Sequence, residues 1–239
     1  MRTTLTGLQE HFMTLYGQRI LVVDGSLPVQ VLRFQRQVGK MVDAVRKEKP
    51  LGPRVAAAFN SLMNLANHFN GHVSVARGMM IKFPARGCAY CGSKPCSCKK
   101  QTRPQPVFGL PNTSQERLSL KGWQAHQHAV YGTNHEGLSV YEILCRLTSE
   151  LSEISALATR SPHTPNNVTD MLREAELEIA DTLSWLLAFA NKTAICVEKE
   201  VVNMYETCPV CHHIPCTCSI VFLSSDGTIS HTGHRETAQ

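Results

Sequence analysis

The stretch Cys88-Ala-Tyr-Cys-Gly-Ser-Lys-Pro-Cys-Ser-Cys98 recurs 120 positions later as Cys208-Pro-Val-Cys-His-His-Ile-Pro-Cys-Thr-Cys218. Both stretches follow the pattern Cys-x2-Cys-x4-Cys-x-Cys, with a proline before the third cysteine. Chance does not produce such a match, so the chain is a tandem duplication. Each copy therefore serves as an internal comparison for the other.

The duplication extends upstream of the cysteines. The segment 8–17 resembles 123–132, and both end in Tyr-Gly. One apolar series at 3-4-3-4 spacing occurs in both copies, as Val31, Phe34, Val38, Met41 and Val45, and as Leu144, Leu147, Leu151, Ile154 and Ala158. We expect two small domains of one type, packed together, over residues 1–98 and 116–218, with a linker at 99–115 and a tail at 219–239.

The hydrophobic pattern predicts an all-α fold of two tandem helical bundles, each followed by a compact cysteine module. Apolar residues at three- and four-residue spacing predict helices over 5–16, 28–47, 53–82, 116–131, 138–159 and 168–205. Strand-like alternation is scarce, and 20–23 and 219–223 are the two short candidates.

Composition narrows the class of protein. The chain has 239 residues, 43% of them hydrophobic, and a formal net charge of +5. This charge suits anionic small molecules without requiring nucleic acid. No charged-then-apolar amino-terminal segment and no apolar stretch of membrane-spanning length occurs in the sequence, so we expect a cytoplasmic protein that does not associate with membranes.

The cysteine modules predict two zinc ions per chain. The proposed ligands are Cys88, Cys91, Cys96 and Cys98 for one ion, and Cys208, Cys211, Cys216 and Cys218 for the other. Four thiolates in a tetrahedron form a closed structural zinc site. Local disulfides and an iron–sulfur cluster are the alternatives. The remaining cysteines, Cys145 and Cys196, lie on apolar helical stretches and are expected in the core.

Four acids form a second candidate metal site. Glu150 and Glu153 are three residues apart on one predicted helix, and Glu178 and Asp181 on the next long one, so each pair shares a helix face. Two antiparallel helices could gather all four, and carboxylate oxygens suit Mg²⁺ or Mn²⁺. The alternative is that they are solvated surface acids. In the first copy the corresponding residues are Gln37, Lys40, Ala58 and Ser61, and this coordinated difference favours a single site.

Glu150-x-x-Glu153 and Glu178-x-x-Asp181, the latter followed by Thr-Leu-Ser-Trp-Leu-Leu-Ala-Phe-Ala, resemble the MazG-like all-α nucleoside triphosphate pyrophosphohydrolases. The resemblance covers about residues 120–195, with 5–80 as a degenerate copy. It implies Mg²⁺-dependent cleavage of a (d)NTP to a (d)NMP and pyrophosphate, with the four acids holding the metal. It also implies paired subunits, which a tandem copy can supply within one chain. The cysteine modules are not part of the family's usual pattern.

Substrate contacts and partners are less constrained. Trp123, His126 and Lys192 are candidate contacts to a nucleoside triphosphate, with Trp185, Tyr131, Arg146 and Lys199 as further candidates; core packing or solvent exposure is the alternative for each. The sequence is also compatible with assembly into a homo-oligomer. The second functional hypothesis is a non-enzymatic nucleotide- or nucleic-acid-binding protein, because Lys94, Lys99, Lys100 and Arg103 make the first module basic. The first module contains few aromatic residues on which bases could stack, and this disfavours nucleic-acid binding.

Overall fold

The computed structural model describes residues 1–18, 20, 26–98, 113–159, 165–218, 221–223 and 229–231. Apart from one antiparallel pair of short strands, the regular structure of these residues is helical, as predicted. The elements are α1 (Leu5–Gln18), α2 (Leu27–Arg46), α3 (Gly52–His68), α4 (Val75–Lys82), α5 (Thr113–Glu116), α6 (Leu120–Glu136), α7 (Val140–Thr159), α8 (Pro165–Lys192), α9 (Val197–Tyr205), β1 (Val221–Leu223) and β2 (Ile229–His231).

Three of the predicted segments fall largely outside the described residues. These are linker positions 99–112, the strand candidate at 20–23, of which only Ile20 is described, and the tail at 219–239, of which only 221–223 and 229–231 are described. The other strand candidate, at 219–223, is confirmed as β1, whose Val221 pairs with His231 of β2.

The sequence predicted a single helix over each of the two longest segments, and this is wrong, because each segment forms two helices. The predicted helix over 53–82 breaks after α3, where Asn70 and Gly71 have positive φ angles of 47° and 83°. The predicted helix over 168–205 breaks after α8, where Ala194 has a φ of 55°. A residue with left-handed backbone turns the chain out of the helical path and so ends a helix.

Serine side chains fix two of the helix starts. The Ser74 hydroxyl accepts a hydrogen bond from the backbone N–H of Arg77 at the start of α4. The Ser119 hydroxyl accepts one from Gly122 at the start of α6. Each satisfies a backbone donor that the helix itself leaves unpaired, a contribution of about 1 kcal/mol.

The two copies meet at equivalent positions near the starts of α1 and α6. Thr4 and Ser119 form an isolated antiparallel bridge, and the register of the upstream repeat makes them equivalent residues. Beside them, the backbone N–H of Leu120 donates to the Thr3 carbonyl at 2.7 Å. Antiparallel pairing of equivalent residues is what a two-fold relation produces, so a pseudo-two-fold axis relates the copies.

The short helices are exchanged between the copies. Helix α4 of the first copy packs on α8 of the second, and α9 of the second packs on α3 of the first. Arg77 of α4 forms a 2.8 Å ion pair with Glu176 of α8. At the other contact, a Cβ on Gly52 would lie 2.5 Å from the Glu200 carboxylate. Each copy thus completes the helical packing of the other.

One hydrophobic core serves both copies. Phe12, Phe34 and Phe59 of the first copy and Trp123 and Phe189 of the second are completely buried in the same cluster. Full burial of one such side chain stabilises the fold by about 1.5–3 kcal/mol. The two predicted domains therefore fold around a single core.

The exposed face of α7 corrects one prediction. Cys145 was expected in the core but is exposed, because the buried stripe of the helix runs through Ile143, Leu144 and Leu147. Cys196, just before α9, is half-buried.

In the described part of the chain, no helix combines the length and hydropathy needed to cross a membrane.

Candidate metal sites

Helices α7 and α8 bring together three of the four acids that the sequence singled out. The two helices pack side by side, with Glu150 and Glu153 on α7 and Glu178 on α8. One carboxylate oxygen from each of the three lies within 4.8 Å of the other two. We call these three residues the glutamate cluster.

The fourth acid, Asp181, has a different partner. Its carboxylate forms an ion pair with the ammonium group of Lys82, the last residue of α4. Both side chains are largely shielded, with 24% and 20% of their surfaces exposed. Because α4 belongs to the first copy, the acid-free copy supplies a cation to the acid site. Lys82 is not among the candidate site residues predicted from the sequence.

Burial and mutual repulsion make these carboxylates reluctant to ionise. Burial is the largest cause that raises the pKa values of Glu150, Glu178 and Asp181, and neighbouring carboxylates add to it. The charge of Lys82 acts in the opposite direction on all three. The net result for Glu178 is a pKa of about 7. Its Oε2 atom is buried and has no hydrogen-bond partner among the described residues.

The glutamate cluster fits a hard divalent cation. Mg²⁺ takes oxygen ligands at about 2.1 Å, so two ligands of one ion lie at most about 4.2 Å apart. The oxygens of the cluster, within 4.8 Å of one another, are close to that spacing. A buried carboxylate oxygen without a partner is also what such an ion would satisfy.

Trp185 hydrogen-bonds to the glutamate cluster and begins a row of three rings in contact. The indole N–H of Trp185 donates to Glu150 Oε1 at 3.2 Å. The His135 ring lies 5.1 Å from Trp185, and the Tyr131 ring lies 6.3 Å from His135. Trp185, half-buried on α8, is therefore the predicted aromatic contact that the structure places against an acid.

The structure does not support the three substrate contacts proposed from sequence. Trp123 is fully buried in the core, which leaves no ring face for a base. His126 is 9% exposed and packs edge-on against Trp123. Lys192 donates to the Glu136 carbonyl at 2.9 Å and lies eleven residues beyond Asp181, about 16 Å along α8.

Each four-cysteine module has the dimensions of a zinc site. A tetrahedron of thiolates at about 2.3 Å from Zn²⁺ has edges of about 3.8 Å. The Sγ–Sγ distances are 3.7 Å for Cys88–Cys98 and 3.9 Å for Cys91–Cys96. They are 3.7 Å for Cys208–Cys218, 3.9 Å for Cys211–Cys216 and 3.4 Å for Cys208–Cys216. All ten cysteines are free of disulfides, and both modules could hold zinc.

Backbone donors prepare one thiol of each module for metal binding. Hydrogen bonds from the backbone at Ser93 and Ser97 lower the pKa of Cys91 to about 5. In the second module, burial opposes ionisation, but backbone bonds at His213 and Thr217 lower the pKa of Cys211 to about 4. The thiolate is the form that binds a metal, so these turns favour coordination.

The modules, like the short helices, are exchanged between the copies. The backbone N–H of Cys96 donates to the Val130 carbonyl of α6 at 2.7 Å. That of Cys216 donates to the Leu15 carbonyl of α1 at 2.9 Å. Leu15 and Val130 are equivalent in the repeat, so each module docks at the same place on the opposite copy.

Comparison with protein-family models, with curated proteins and with solved structures finds no match to this chain.

Proposed function

We propose that the chain is a divalent-cation-dependent nucleoside triphosphate pyrophosphohydrolase, which converts a (d)NTP and water to a (d)NMP and pyrophosphate. The observation that carries the proposal is the glutamate cluster, in which two helices of the second copy hold three carboxylates within 4.8 Å of one another. Like charges at this spacing repel unless a cation holds them. Mg²⁺ or Mn²⁺ is the cation that oxygen ligands favour.

Glu150, Glu153 and Glu178 would hold this cation. When bound, the cation would supply a positive field for phosphate oxygens and would lower the pKa of a water molecule. Without the cation, the ionised glutamate cluster would repel a triphosphate, which explains why the reaction would depend on the metal.

Glu178 is the ligand that must lose a proton when the cation binds. Without an ion its pKa is about 7, because burial and the neighbouring acids favour the protonated form. A bound cation would favour the carboxylate, beside a Glu150 carboxylate that the hydrogen bond from Trp185 holds in place.

A screen of the purified chain with Mg²⁺ against a panel of NTPs and dNTPs, with pyrophosphate and monophosphate as readouts, tests the proposal. Glu150→Gln, Glu153→Gln and Glu178→Gln should each reduce pyrophosphate release by at least tenfold, because each removes a ligand charge with little change in size. Asn67 and Asn191 make equivalent hydrogen bonds, so Arg54, rather than Ala58, is the counterpart of Glu178, and Lys40 is the counterpart of Glu153. Lys40→Ala and Arg54→Ala therefore serve as matched controls in the acid-free copy, and activity should be nearly unchanged. Release of no pyrophosphate from any nucleotide would refute the proposal.

A further inference from the structure

Lys82 is the feature that distinguishes this site from a plain cluster of acids. It ends α4, crosses from the acid-free copy and pairs with Asp181 in a largely shielded position. Its own pKa is raised: burial lowers it, but the charge of Asp181 and those of Glu178 and Glu150 outweigh the effect of burial. Lys82 is therefore a resident cation of the acid site.

The duplication shows that Lys82 accompanies the acids. Gln9 hydrogen-bonds to Val75 as Gln124 does to Val197, so α4 and α9 are 122 residues apart and Lys82 corresponds to Met204. Asn67 and Asn191 donate to the carbonyls of those same glutamines, so α3 and α8 are 124 residues apart and Asp181 corresponds to Ala57. Helix α9 packs on α3 as α4 packs on α8, so the same contact exists in both places. The contact of α9 with α3 therefore lacks both members of the ion pair, just as the first copy lacks the glutamates.

We propose that Lys82 takes the place of a second divalent cation: it neutralises Asp181, so that Glu150, Glu153 and Glu178 together hold a single ion. This inference rests on the metal site of the proposed function. Asp181 does not belong to the set of mutually close carboxylates. This is expected if its carboxylate is held by the ion pair with Lys82. Lys82 is then a positioning residue, which sets the number of ions and the charge that an anionic substrate meets.

The charges of the site lead to a definite expectation. When ionised, the four carboxylates carry a formal charge of −4, which Lys82 and one divalent ion reduce to −1. Without the lysine charge the site would stay at −2 until a second divalent ion bound. Opposite charges a few ångströms apart attract more strongly in a shielded site than in water, so Asp181 would then recruit that ion.

Isothermal titration of the zinc-loaded 239-residue chain with Mn²⁺ alone measures the number of ions that bind. The unaltered chain should bind one Mn²⁺ at this site, and Lys82→Met should bind two. Lys82→Arg keeps the charge and should bind one. The double variant Lys82→Met/Asp181→Asn, which lacks both members of the pair, should also return to one. Mn²⁺ does not compete with zinc for thiolates, so the cysteine modules do not interfere.

Arg77 supplies the matched control. Its ion pair with Glu176 joins the same two helices, also between the copies, but Glu176 is not one of the clustered carboxylates. Arg77→Met should therefore leave the stoichiometry at one Mn²⁺. Any change in stoichiometry that Arg77→Met shares with Lys82→Met would come from loosening of α4 and would overturn the inference.

Asp181→Asn keeps the inference testable even where Lys82→Met does not fold. It should still bind one Mn²⁺, with affinity changed by less than about threefold, whereas Glu178→Gln should weaken binding at least about tenfold. Loss of Mn²⁺ binding in Asp181→Asn, or two ions in the unaltered chain, would overturn the role of Lys82 and leave the proposed hydrolase intact. No Mn²⁺ binding by the folded, unaltered chain would overturn both.

Discussion

Glu178 and Asp181 lie one helical turn apart on α8, yet their carboxylates have different surroundings. Asp181 pairs with Lys82, whereas Glu178 has a buried oxygen without a partner among the described residues. The difference arises because α4 ends beside Asp181. At the scale of single residues, the site therefore combines one neutralised acid with one acid that requires a proton or a metal.

The raised pKa of Glu178 predicts a pH-dependent stability. Without a divalent ion the folded chain keeps a proton on Glu178 up to about pH 7, whereas the unfolded chain loses it near 4.5. This stabilising contribution is complete below the lower value and is lost as the pH rises through the higher one. Glu178→Gln should therefore unfold a few degrees above the unaltered chain at pH 8, and the difference should vanish near pH 4.5.

Thermal unfolding at the two pH values measures this difference. The buffer is freed of divalent ions by resin before the protein is added, because a chelator would remove zinc from the protein. Added Mg²⁺ should reverse the order at pH 8, because it stabilises only the chain that binds it. A lower unfolding temperature for Glu178→Gln than for the unaltered chain at pH 8 without Mg²⁺ would contradict the prediction.

The glutamate cluster could be predicted from sequence, but Lys82 could not. Glu150, Glu153 and Glu178 follow helical spacing, and the duplication marks them by their absence from the other copy. Lys82 lies 99 residues from Asp181, in the other copy, and meets it only because α4 is exchanged. Periodicity fixes which face of a helix is buried, but not which distant helix covers it.

At the scale of elements, the turns after α3 and α8 decide the architecture. Hydrophobic periodicity runs on through both breaks, so it predicted single long helices over 53–82 and 168–205. Asn70-Gly71 is a turn signal that could have identified the first break. Ala194 gives no such signal for the second. Only because the chain turns there can α4 and α9 reach the opposite copy.

The close approach of α4 to α8 depends on Gly78. A Cβ at this position would lie 2.4 Å from the Glu176 carbonyl oxygen, which is backbone and cannot move aside cheaply. Gly78→Ala should therefore lower the free energy of unfolding by about 1–3 kcal/mol. Gly39, in α2, has nothing within 4 Å of its Cβ position, so Gly39→Ala should instead raise stability by about 0.5–1 kcal/mol. Urea unfolding of the two variants distinguishes these signs, and equal effects would show that the helices separate freely at Gly78.

Module exchange predicts a crossed pattern of protection. Cys91→Ser should loosen α6 (Leu120–Glu136), because the first module docks at Val130. Cys211→Ser should loosen α1 (Leu5–Gln18), because the second module docks at Leu15. Between the two equivalent helices, amide hydrogen exchange by mass spectrometry should show the larger increase in α6 for the first variant and in α1 for the second. Faster exchange confined to the copy that carries the substitution would contradict the exchanged arrangement.

At the scale of the whole molecule, the two copies share a scaffold, but the glutamate cluster occurs in the second copy. Thr4 and Ser119 mark the pseudo-two-fold axis, and the helices of both copies share one core. The tandem arrangement was predictable from the repeated cysteines. The exchange was not, because the repeat specifies equivalent contacts without specifying whether they form within a copy or between copies.

The shared core and the exchanged modules together predict two zinc ions and one unfolding transition. Elemental analysis after reducing purification should give about two zinc per chain, and Cys91→Ser or Cys211→Ser should each reduce this to about one. Loss of either ion removes a contact between the copies, so each variant should unfold at a lower temperature yet still in a single step. Calorimetry measures this as agreement between the calorimetric and van't Hoff enthalpies. Two separate transitions would mean that the copies unfold independently. Zinc content near zero in the unaltered chain would mean that zinc binding by the modules does not contribute to its stability.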